Sequence, residues 1–417
     1  MEKSYIYKKF NVNMSNLGIF YKNSTICVGV SGGADSMLLA LLAKQWCKAH
    51  NIRLIALIVN HNLRIESKEE SINVSKALDL LKVENIILER KQVSLTSKIQ
   101  ETARFDRYNL LLDKCFELKA SYLLIAHHLD DQIETMVLRE NSGINLVGDS
   151  GMSAKLVLEK AILLRPLLNF TKNEIIEFLI DNKISWIEDP SNKNEKYERV
   201  KVRNYLNKVE VKEKQLLIQR LHYNYKKRKE LEANLLSCYI KMVKINQFGL
   251  IKINIALFNI QDENIKILLL RNLICYSNGE SYKVNIKKVK VLLSNLYKIK
   301  KYSLGKTIIS VNKDNITIFK EPSHSHNIIK NNRWDDRFLV ENNNYEIKTL
   351  SQDDKNILLQ NKEFKKYFKN YEINMENIQS LPWCYKSLNQ KGWVNNKYVE
   401  LILYLKNSLF MNEFINI

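Results

Sequence analysis

Short apolar runs alternate with helical segments over the first 190 residues of the chain. Five such runs lead into a polar turn or a helix, at residues 26–30, 54–60, 86–90, 122–126 and 162–168. Runs that are apolar throughout are typical of strands buried on both faces. Strands joined by helical crossovers are parallel, so the pattern predicts a doubly wound parallel α/β sheet with ligands at the carboxyl ends of its strands.

The pattern changes after about residue 205, where long basic segments such as QLLIQRLHYNYKKRKELEANLLSCYIKMV have helical character. Residues 306–320 then predict a β-hairpin, and residues 321–332 predict a linker. A chain of 417 residues is too long for a single core. We therefore expect three domains: α/β at 1–205, basic and helical at 206–325, and small α+β at 333–417.

The turn in TICVGVSGGADSMLLALLA (25–43) has the residues of a phosphate cradle. Glycines let the backbone approach a phosphate, and the N–H groups at the start of the following helix face it. Ser31 and Ser36 add hydroxyl donors. A tight strand-to-helix connection would also use Gly32 and Gly33. The lysine of the Walker motif is absent, which argues against a kinase or GTPase.

Composition narrows the class of partner and the compartment. The formal net charge of +20 favours a polyanionic partner, although the chain is rich in Lys, Asn and Ile throughout. The six cysteines are scattered with no C-x-x-C pair, which argues against a zinc ribbon and a disulfide framework. No apolar run is long enough for a bilayer and the N-terminus does not read as a signal peptide, so we expect a cytoplasmic protein without a membrane partner.

A second stretch, AHHLDDQIETMVLRE (126–140), places carboxylates near a helix N-terminus. If the helix begins near Leu129, Asp131 and Glu134 share one face, as do Asp130 and Glu134. Acidic first turns are ordinary capping, but His127 and His128 directly upstream at a strand end suggest a site. A metal-dependent phosphohydrolase could also use this pattern, and it would need further ligands such as His61, which follows the second strand.

These motifs together resemble a known family. Ser-Gly-Gly-x-Asp-Ser after a strand resembles the PP-loop of the ATP pyrophosphatase superfamily, and with HHLDDQIET the chain resembles the tRNA(Ile)-lysidine synthases. Further similar segments follow in the family's order: VNHNLRIES (59–67), QETARFDRY (100–108), GINLVGDSGM (143–152), RPLLNFTKNEI (165–175) and WIEDPSN (186–192). Asn60 and Val200 depart from the family pattern, which has Asp and Asn there, and residues 205–417 match only in outline.

The resemblance implies a fold, a reaction and partners. The fold is the adenine nucleotide alpha hydrolase-like PP-loop sheet. ATP, with Mg²⁺, would adenylate O2 of the wobble cytidine in the isoleucine tRNA with a CAU anticodon, releasing pyrophosphate. The ε-amine of free L-lysine would then attack C2 and expel AMP, leaving lysidine and changing codon reading from AUG to AUA. Whether the protein forms a homodimer is left undecided by the sequence.

The resemblance also implies roles for individual residues. The ATP-binding turn would be Ser31, Gly32, Gly33, Ala34, Asp35 and Ser36, with Asp35 also as metal ligand. Catalytic residues would be Asp35, Arg104, Asp131 and Glu134, and lysine would be held by His128, Asp131 and Glu134. Arg107, Arg199 and Arg203 would contact tRNA or phosphate, although exposed helix faces would also explain these arginines.

Other functions remain as alternatives. A PP-loop tRNA thiolase needs reactive cysteines, commonly as C-x-x-C, which this chain lacks. A glutamine-dependent amide-forming synthetase would need a glutaminase cysteine, and Cys27 is predicted to be buried in a strand. A pure RNA-binding module would have no use for SGGADS beside a carboxylate cluster.

Overall fold

The computed structural model describes residues 3–60, 62, 67–90, 99–141, 150–158, 160–187, 198–246, 249–279, 284–298 and 300–322, with short pieces between 329 and 385. The described residues fall into two compact units, the first reaching Lys229 and the second beginning at Glu230. The domain boundaries expected from the sequence stay a prediction.

The first unit is built on a six-stranded sheet. Its strands are β1 (Thr25–Val30), β2 (Arg53–Asn60), β3 (Glu84–Glu89), β4 (Tyr122–Leu124), β5 (Lys155–Val157) and β6 (Ile162–Leu164). They lie in the order β3-β2-β1-β4-β6-β5, and all neighbours are parallel except β5 and β6. The predicted doubly wound, mostly parallel α/β sheet is confirmed.

The helices that connect strands of this sheet are α2 (Ala34–Ala49), α3 (Ser67–Leu80), α4 (Ile99–Glu117) and α5 (Leu129–Asn141). Helix α1 (Lys3–Leu17) precedes the sheet, and α6 (Lys172–Asp181), α7 (Glu198–Lys208) and α8 (Val211–Met242) follow it, with α8 crossing into the second unit. None of the described helices combines the length and the apolarity that crossing a membrane requires.

Alternation along the central strands creates a core on each face of the sheet. In β1, Ile26 and Val28 belong to the core under α1, α2, α3 and α6, whereas Cys27 belongs to the core under α4. Because successive side chains point to opposite faces, one strand contributes to both cores. The predicted burial of Cys27 is confirmed, since its side chain is fully buried.

Two strand predictions differ from the structure. β3 is only half-buried because it lies at the edge of the sheet, not in its centre. The predicted strand at 162–168 ends at Leu164, and Pro166, which has no N–H to donate to a ladder, follows shortly after. β5 is missing from the prediction because it has three half-buried residues and no apolar run.

The described part of the second unit contains a five-stranded antiparallel sheet, the end of α8 and helices that follow it. The order is β7-β8-β11-β10-β9. The bounds are β7 (Val243–Ile245), β8 (Ile251–Asn254), α9 (Ile255–Asn259), α10 (Glu263–Asn278), α11 (Ile286–Asn295), β9 (Lys301–Leu304), β10 (Thr307–Val311) and β11 (Asn315–Lys320). The hairpin predicted at 306–320 is confirmed as β10 and β11.

The prediction of a helical second domain is therefore incomplete. β8 pairs with β11, about sixty residues further along the chain, so the periodicity within either strand carries no sign of the pairing. β12 (Ile329–Lys330) lies within the stretch expected to be a linker. In the expected α+β region at 333–417, the described strands are short: β13 (Arg333–Trp334), β14 (Phe338–Leu339), β15 (Glu346–Lys348) and β16 (Trp383–Tyr385). Most of that region lies outside the described residues.

Candidate active site

The turn between β1 and α2 has the shape expected of a phosphate cradle. Gly32 has a φ of 86°, in the left-handed region that favours glycine, and its carbonyl accepts a hydrogen bond of 2.9 Å from the Ile187 amide. Ser36 Oγ accepts a 3.2 Å hydrogen bond from the Ser31 amide and donates a 2.9 Å bond to the Gly33 carbonyl. The turn is thus held by its own backbone and hydroxyl groups.

The start of α2 stays open to a ligand. Gly33 occupies the N-cap position with extended backbone and has no side chain that could cap the first amides. A Cβ atom added at Gly33 would lie 3.8 Å from its nearest neighbour, Ser31 Oγ, so the space beside the turn is free of close contacts. Ala34 and Asp35 form the first turn of the helix.

The three carboxylates at the start of α5 have different partners. Asp131 Oδ2 accepts a 3.1 Å hydrogen bond from the His128 amide, which makes Asp131 a cap of this helix. Asp130 instead accepts from the Lys172 amide at 2.8 Å and from Lys214 Nζ at 2.6 Å. No sequence pattern distinguishes the role of Asp130 from that of Asp131, but their hydrogen-bond partners in the structure do.

Glu134 is clamped by two arginines of α7. Arg203 Nε lies 2.7 Å from Glu134 Oε1, and Arg199 Nε lies 2.8 Å from Glu134 Oε2. Arg199 Nη2 also donates to Asp131 Oδ1 at 2.9 Å. Because Glu134 is only 2% exposed, its charge is compensated by guanidinium groups and not by water. The bond to Glu134 raises the pKa of Arg203.

His128 lies buried among the aspartates. Its Nε2 atom is 3.4 Å from Asp131 Oδ2 and 3.7 Å from Asp35 Oδ1, and its Nδ1 atom is 3.6 Å from Asp130 Oδ2. Burial opposes protonation of the ring, but the neighbouring carboxylates outweigh it and raise the pKa of His128. Burial by itself would raise the pKa of Asp131. The positive charges of His128 and Arg199 outweigh this effect and lower the pKa of Asp131.

The turn and the acid–arginine cluster face the same cleft, which has a volume of about 470 Å³. It lies at the carboxyl ends of β1, β2 and β4, with further walls from α3, α4 and α7. The predicted site residues that line it are Ser31, Gly33, Asp35, Ser36, Arg107, Asp131, Arg199 and Arg203. His128 and Glu134 lie behind this surface, each in contact with lining residues.

Two predicted residues lie outside the part of the chain whose side chains are described. Arg104 belongs to α4, but its side chain is not among those described, and His61 is not described at all. Asp106, also on α4, pairs with Arg90, whose Nη2 atom lies 2.6 Å from Asp106 Oδ2.

The structure adds cations that the sequence did not single out. Lys172 Nζ lies 2.6 Å from Asp35 Oδ1, and Lys214 binds Asp130. Arg165 Nε donates to Nδ1 of the cleft residue His127 at 3.1 Å. Lys172 and Asp35 are 137 positions apart, so no local pattern could have predicted their contact. Arg165 and Lys172 do fall within the RPLLNFTKNEI segment.

Comparison with known proteins agrees with this geometry. Residues 4–210 match the PP-loop domain family ATP_bind_3. The chain is 32% identical over 349 residues to the tRNA(Ile)-lysidine synthase of Rickettsia typhi, covering 81% of this chain and 80% of that protein. It is 33% identical over 350 residues to the protein of that name from Wolbachia pipientis wMel, covering 78% of each. The chain belongs to the tRNA(Ile)-lysidine synthase family.

A solved PP-loop structure is also similar at low identity. The U34-tRNA thiolase NcsA from Methanococcus maripaludis is 18% identical, with a TM-score of 0.46 over 54% of this chain and 80% of that one.

The two departures from the lysidine synthase pattern have structural explanations. Asn60 is buried, and its Oδ1 atom accepts hydrogen bonds from the Ser67 hydroxyl at 2.9 Å and from the Asn62 amide at 3.1 Å. An asparagine oxygen serves these two donors as a carboxylate oxygen would. Val200 is buried on α7, which packs against α5, so an apolar side chain suits its position.

The GINLVGDSGM segment of the family contacts α5 through its last residues. Gln132 Oε1 accepts a hydrogen bond from the Met152 amide, and its Nε2 atom donates to the Met152 carbonyl at 2.9 Å. Gly151, with a φ of 72°, allows this approach, because a Cβ atom there would lie 2.5 Å from Gln132 Oε1.

Proposed function

We propose that the chain is an ATP-dependent carbon–nitrogen ligase that forms lysidine at the wobble cytidine of the isoleucine tRNA with a CAU anticodon. Membership of the lysidine synthase family supports this assignment. The observation that carries it in the structure is that the open turn at 31–36 and the acid–arginine cluster line one cleft. Adenylation and amine attack both need groups within reach of the same base.

The cleft suits ATP with its phosphates on the turn. The amides at the start of α2 and the hydroxyls of Ser31 and Ser36 supply donors for phosphate oxygens. Arg199 and Arg203 add two guanidinium groups to the lining of the cleft. Donors placed where charge develops stabilise the α-phosphorus while the cytidine O2 attacks and pyrophosphate leaves.

Mg²⁺ would accompany the nucleotide. Asp35 is the carboxylate of the turn that lines the cleft, and Mg²⁺ bound to phosphates commonly takes only one or two protein carboxylates. Asp35 would therefore hold the ion, which when bound neutralises negative charge on the phosphates.

Asp131 is the carboxylate best placed to receive lysine. Asp131 lines the cleft and accepts from one arginine, Arg199, whereas neither Asp130, which binds Lys214, nor Glu134, which binds two arginines, lines it. Lysine has an ε-amine pKa near 10.4, so at pH 7 the neutral nucleophile costs about 4–5 kcal/mol. A carboxylate that holds the ammonium and accepts its proton lowers this cost. In this assignment Glu134 and His128 position Asp131 and the arginines.

Lysidine synthesis can be tested by its substrate requirements. We expect the wild-type chain to release pyrophosphate from ATP with a transcript of the CAU isoleucine tRNA and not with the methionine tRNA of the same anticodon. Lysine-dependent mass gain of the tRNA should follow. Pyrophosphate release that does not depend on which tRNA is present would refute the assignment, and so would a tRNA that gains no lysine.

Asp131→Asn tests the role of the lysine-binding carboxylate. We expect its KM for lysine to rise at least 10-fold, because the substitution removes the negative charge that faces the cleft and keeps the shape of the side chain, with the tRNA Kd within about 2-fold of wild type. Glu140→Gln is the matched control on the same helix, since Glu140 pairs with Arg220 at 2.6 Å and does not line the cleft. Equal lysine KM values for both variants would contradict the role.

A tRNA thiolase is the second candidate. The described cysteines of the first unit, Cys27, Cys47 and Cys115, are free and buried, and burial raises the pKa of Cys47 to about 12. A buried thiol of this kind is a poor nucleophile. Incorporation of sulfur into tRNA would favour the thiolase. Cleavage of a phosphoester in the absence of lysine would favour a phosphohydrolase. A cytoplasmic location follows from the proposed tRNA substrate.

A further inference from the structure

Lys172 brings an ammonium group to the phosphate-binding turn from a different helix. Its Nζ atom lies 2.6 Å from Asp35 Oδ1, and Asp35 stands in the first turn of α2 on the wall of the cleft. The Lys172 side chain is 42% exposed and that of Asp35 is 28% exposed. The pair is therefore partly open to solvent and not part of the core, and its carboxylate lies on the wall of the cleft.

The backbone of Lys172 is held in place, whereas its long side chain allows the ammonium group to change partner. Lys172 is the first residue of α6, and its amide donates to Asp130 Oδ2 at 2.8 Å. Thr171 and Glu174 form a reciprocal capping box at the same point, with Thr171 Oγ1 accepting from the Glu174 amide at 3.2 Å. A flexible four-carbon stem on a fixed Cα lets the charge shift between nearby acceptors.

The other lysine of the acid cluster does not have this position. Lys214 Nζ binds Asp130 Oδ1, which does not line the cleft, whereas Lys172 binds Asp35, which does. A purely structural ion pair at the exposure of Lys172 and Asp35 would contribute little, because solvent screens it. This ammonium group lies beside an open turn and beside the carboxylate proposed to hold the metal ion. It is therefore better suited to binding phosphate.

We propose that Lys172 supplies the cation that the turn itself lacks, holding the β- and γ-phosphates of ATP and then the leaving pyrophosphate. The proposal rests on the proposed function and adds a phosphate subsite to it. In P-loop enzymes a lysine of the loop has this task. Here the loop carries Ala34-Asp35-Ser36, and the lysine comes from the start of α6. With nucleotide bound, the ammonium would turn from Asp35 to phosphate oxygens, and Asp35 would then be available to hold Mg²⁺.

Differential nucleotide affinity tests this subsite. Lys172→Met removes the charge and keeps much of the stem, so we expect the Kd of Mg·ATP to rise 10- to 100-fold while the Kd of AMP changes less than 2-fold. Lys172→Arg should restore ATP affinity to within about 5-fold of wild type. Lys9→Met is the matched control, because Lys9 also pairs with α6, through Glu174 at 2.7 Å, and should change neither Kd. Equal effects of Lys172→Met on ATP and AMP, or none, would overturn the proposal.

The unaltered protein provides a second measurement if Lys172→Met does not fold. Brief acetylation followed by mass spectrometry should show Lys172 protected at least 3-fold by Mg·ATP or by inorganic pyrophosphate, and unprotected by AMP. Protection by all three ligands, or by none, would overturn the subsite. If the wild-type protein forms lysidine while these contrasts are missing, only the Lys172 assignment fails. If the wild-type protein does not bind ATP at all, the proposed function fails with it.

Discussion

Gly32 and Gly33 are adjacent residues with different tasks. Gly32 has a φ of 86°, and a Cβ there would lie 2.5 Å from Val74 Cγ2, so both backbone and space demand glycine. Gly33 has an ordinary φ of −71° and no neighbour closer than 3.8 Å to a Cβ. The first glycine is needed to fold the turn, and the second leaves space beside it, which the proposed phosphate would occupy.

This contrast gives a prediction. Gly32→Ala should lower the free energy of unfolding by about 1–3 kcal/mol through backbone strain and the clash with Val74. Gly33→Ala should change stability by less than about 0.5 kcal/mol, since its conformation is unstrained, yet raise the Kd of ATP. Denaturant unfolding and nucleotide titration check the pair. Equal loss of stability in both variants would contradict the division of roles.

The sequence predicted the chemical types of the site residues better than their partners. His128, Asp130, Asp131 and Glu134 were expected in one place, and the structure brings their side chains together. The sequence could not predict which of Asp130, Asp131 and Glu134 faces the cleft, because all three acids lie on the same short stretch of α5. The answer depends on Lys172, Lys214, Arg199 and Arg203, which lie 42 to 84 positions away in sequence from the acids they bind.

Helices α5 and α7 are joined through the Glu134 clamp. Both Glu134 oxygens accept from arginines, and Val200 is buried where α7 packs on α5. The clamp therefore holds Arg199 and Arg203 toward the cleft at the cost of a buried carboxylate.

We expect Glu134→Gln to lower the free energy of unfolding by about 1–3 kcal/mol, because a buried acceptor of charge-assisted hydrogen bonds is lost. ATP affinity should fall as the arginines lose their fixed geometry. Glu140→Gln, which removes an exposed pair with Arg220, should cost less than about 1 kcal/mol. Denaturant unfolding measures both, and a Glu134→Gln protein as stable as the Glu140 control would argue against the clamp.

The capping box of α6 makes the stability of this element depend on pH. Burial alone would raise the pKa of Glu174, but Lys9 and the Thr171 amide outweigh burial and lower it. A carboxylate with a lower pKa in the folded state contributes stability above its unfolded pKa, near 4.3, and loses it as the pH falls through the folded value.

Glu174→Gln should therefore be less stable than wild type at pH 7, by about 1 kcal/mol for a charge at a helix N-terminus. The difference should shrink as the pH falls below about 4. Thermal unfolding across pH 3–7 measures it, with the exposed Glu177→Gln on the same helix as control. A difference that is independent of pH would show that the charge of Glu174 is not responsible.

At the scale of the whole molecule, the net charge of +20 suits a nucleic-acid partner. Phosphate contacts by Lys and Arg release counterions, so affinity falls as a power of the salt concentration. We expect the Kd for tRNA to rise at least about 10-fold between 50 and 200 mM salt, from several phosphate contacts. Filter binding measures this slope, with an unrelated tRNA to separate specific from general affinity. A slope near zero would mean that the excess charge does not serve tRNA binding.

The chain by itself determined the strand–turn–helix order, the α/β class and the glycine-rich turn proposed to bind phosphate. These features depend on local physics: apolar runs, glycine conformations and donors at a helix start all lie within a few residues of one another. Tertiary structure decided which acid faces the cleft, which cations neutralise the others, and that the second unit contains an antiparallel sheet. Those outcomes depend on contacts between residues far apart in sequence, and such contacts leave no period or spacing in the chain.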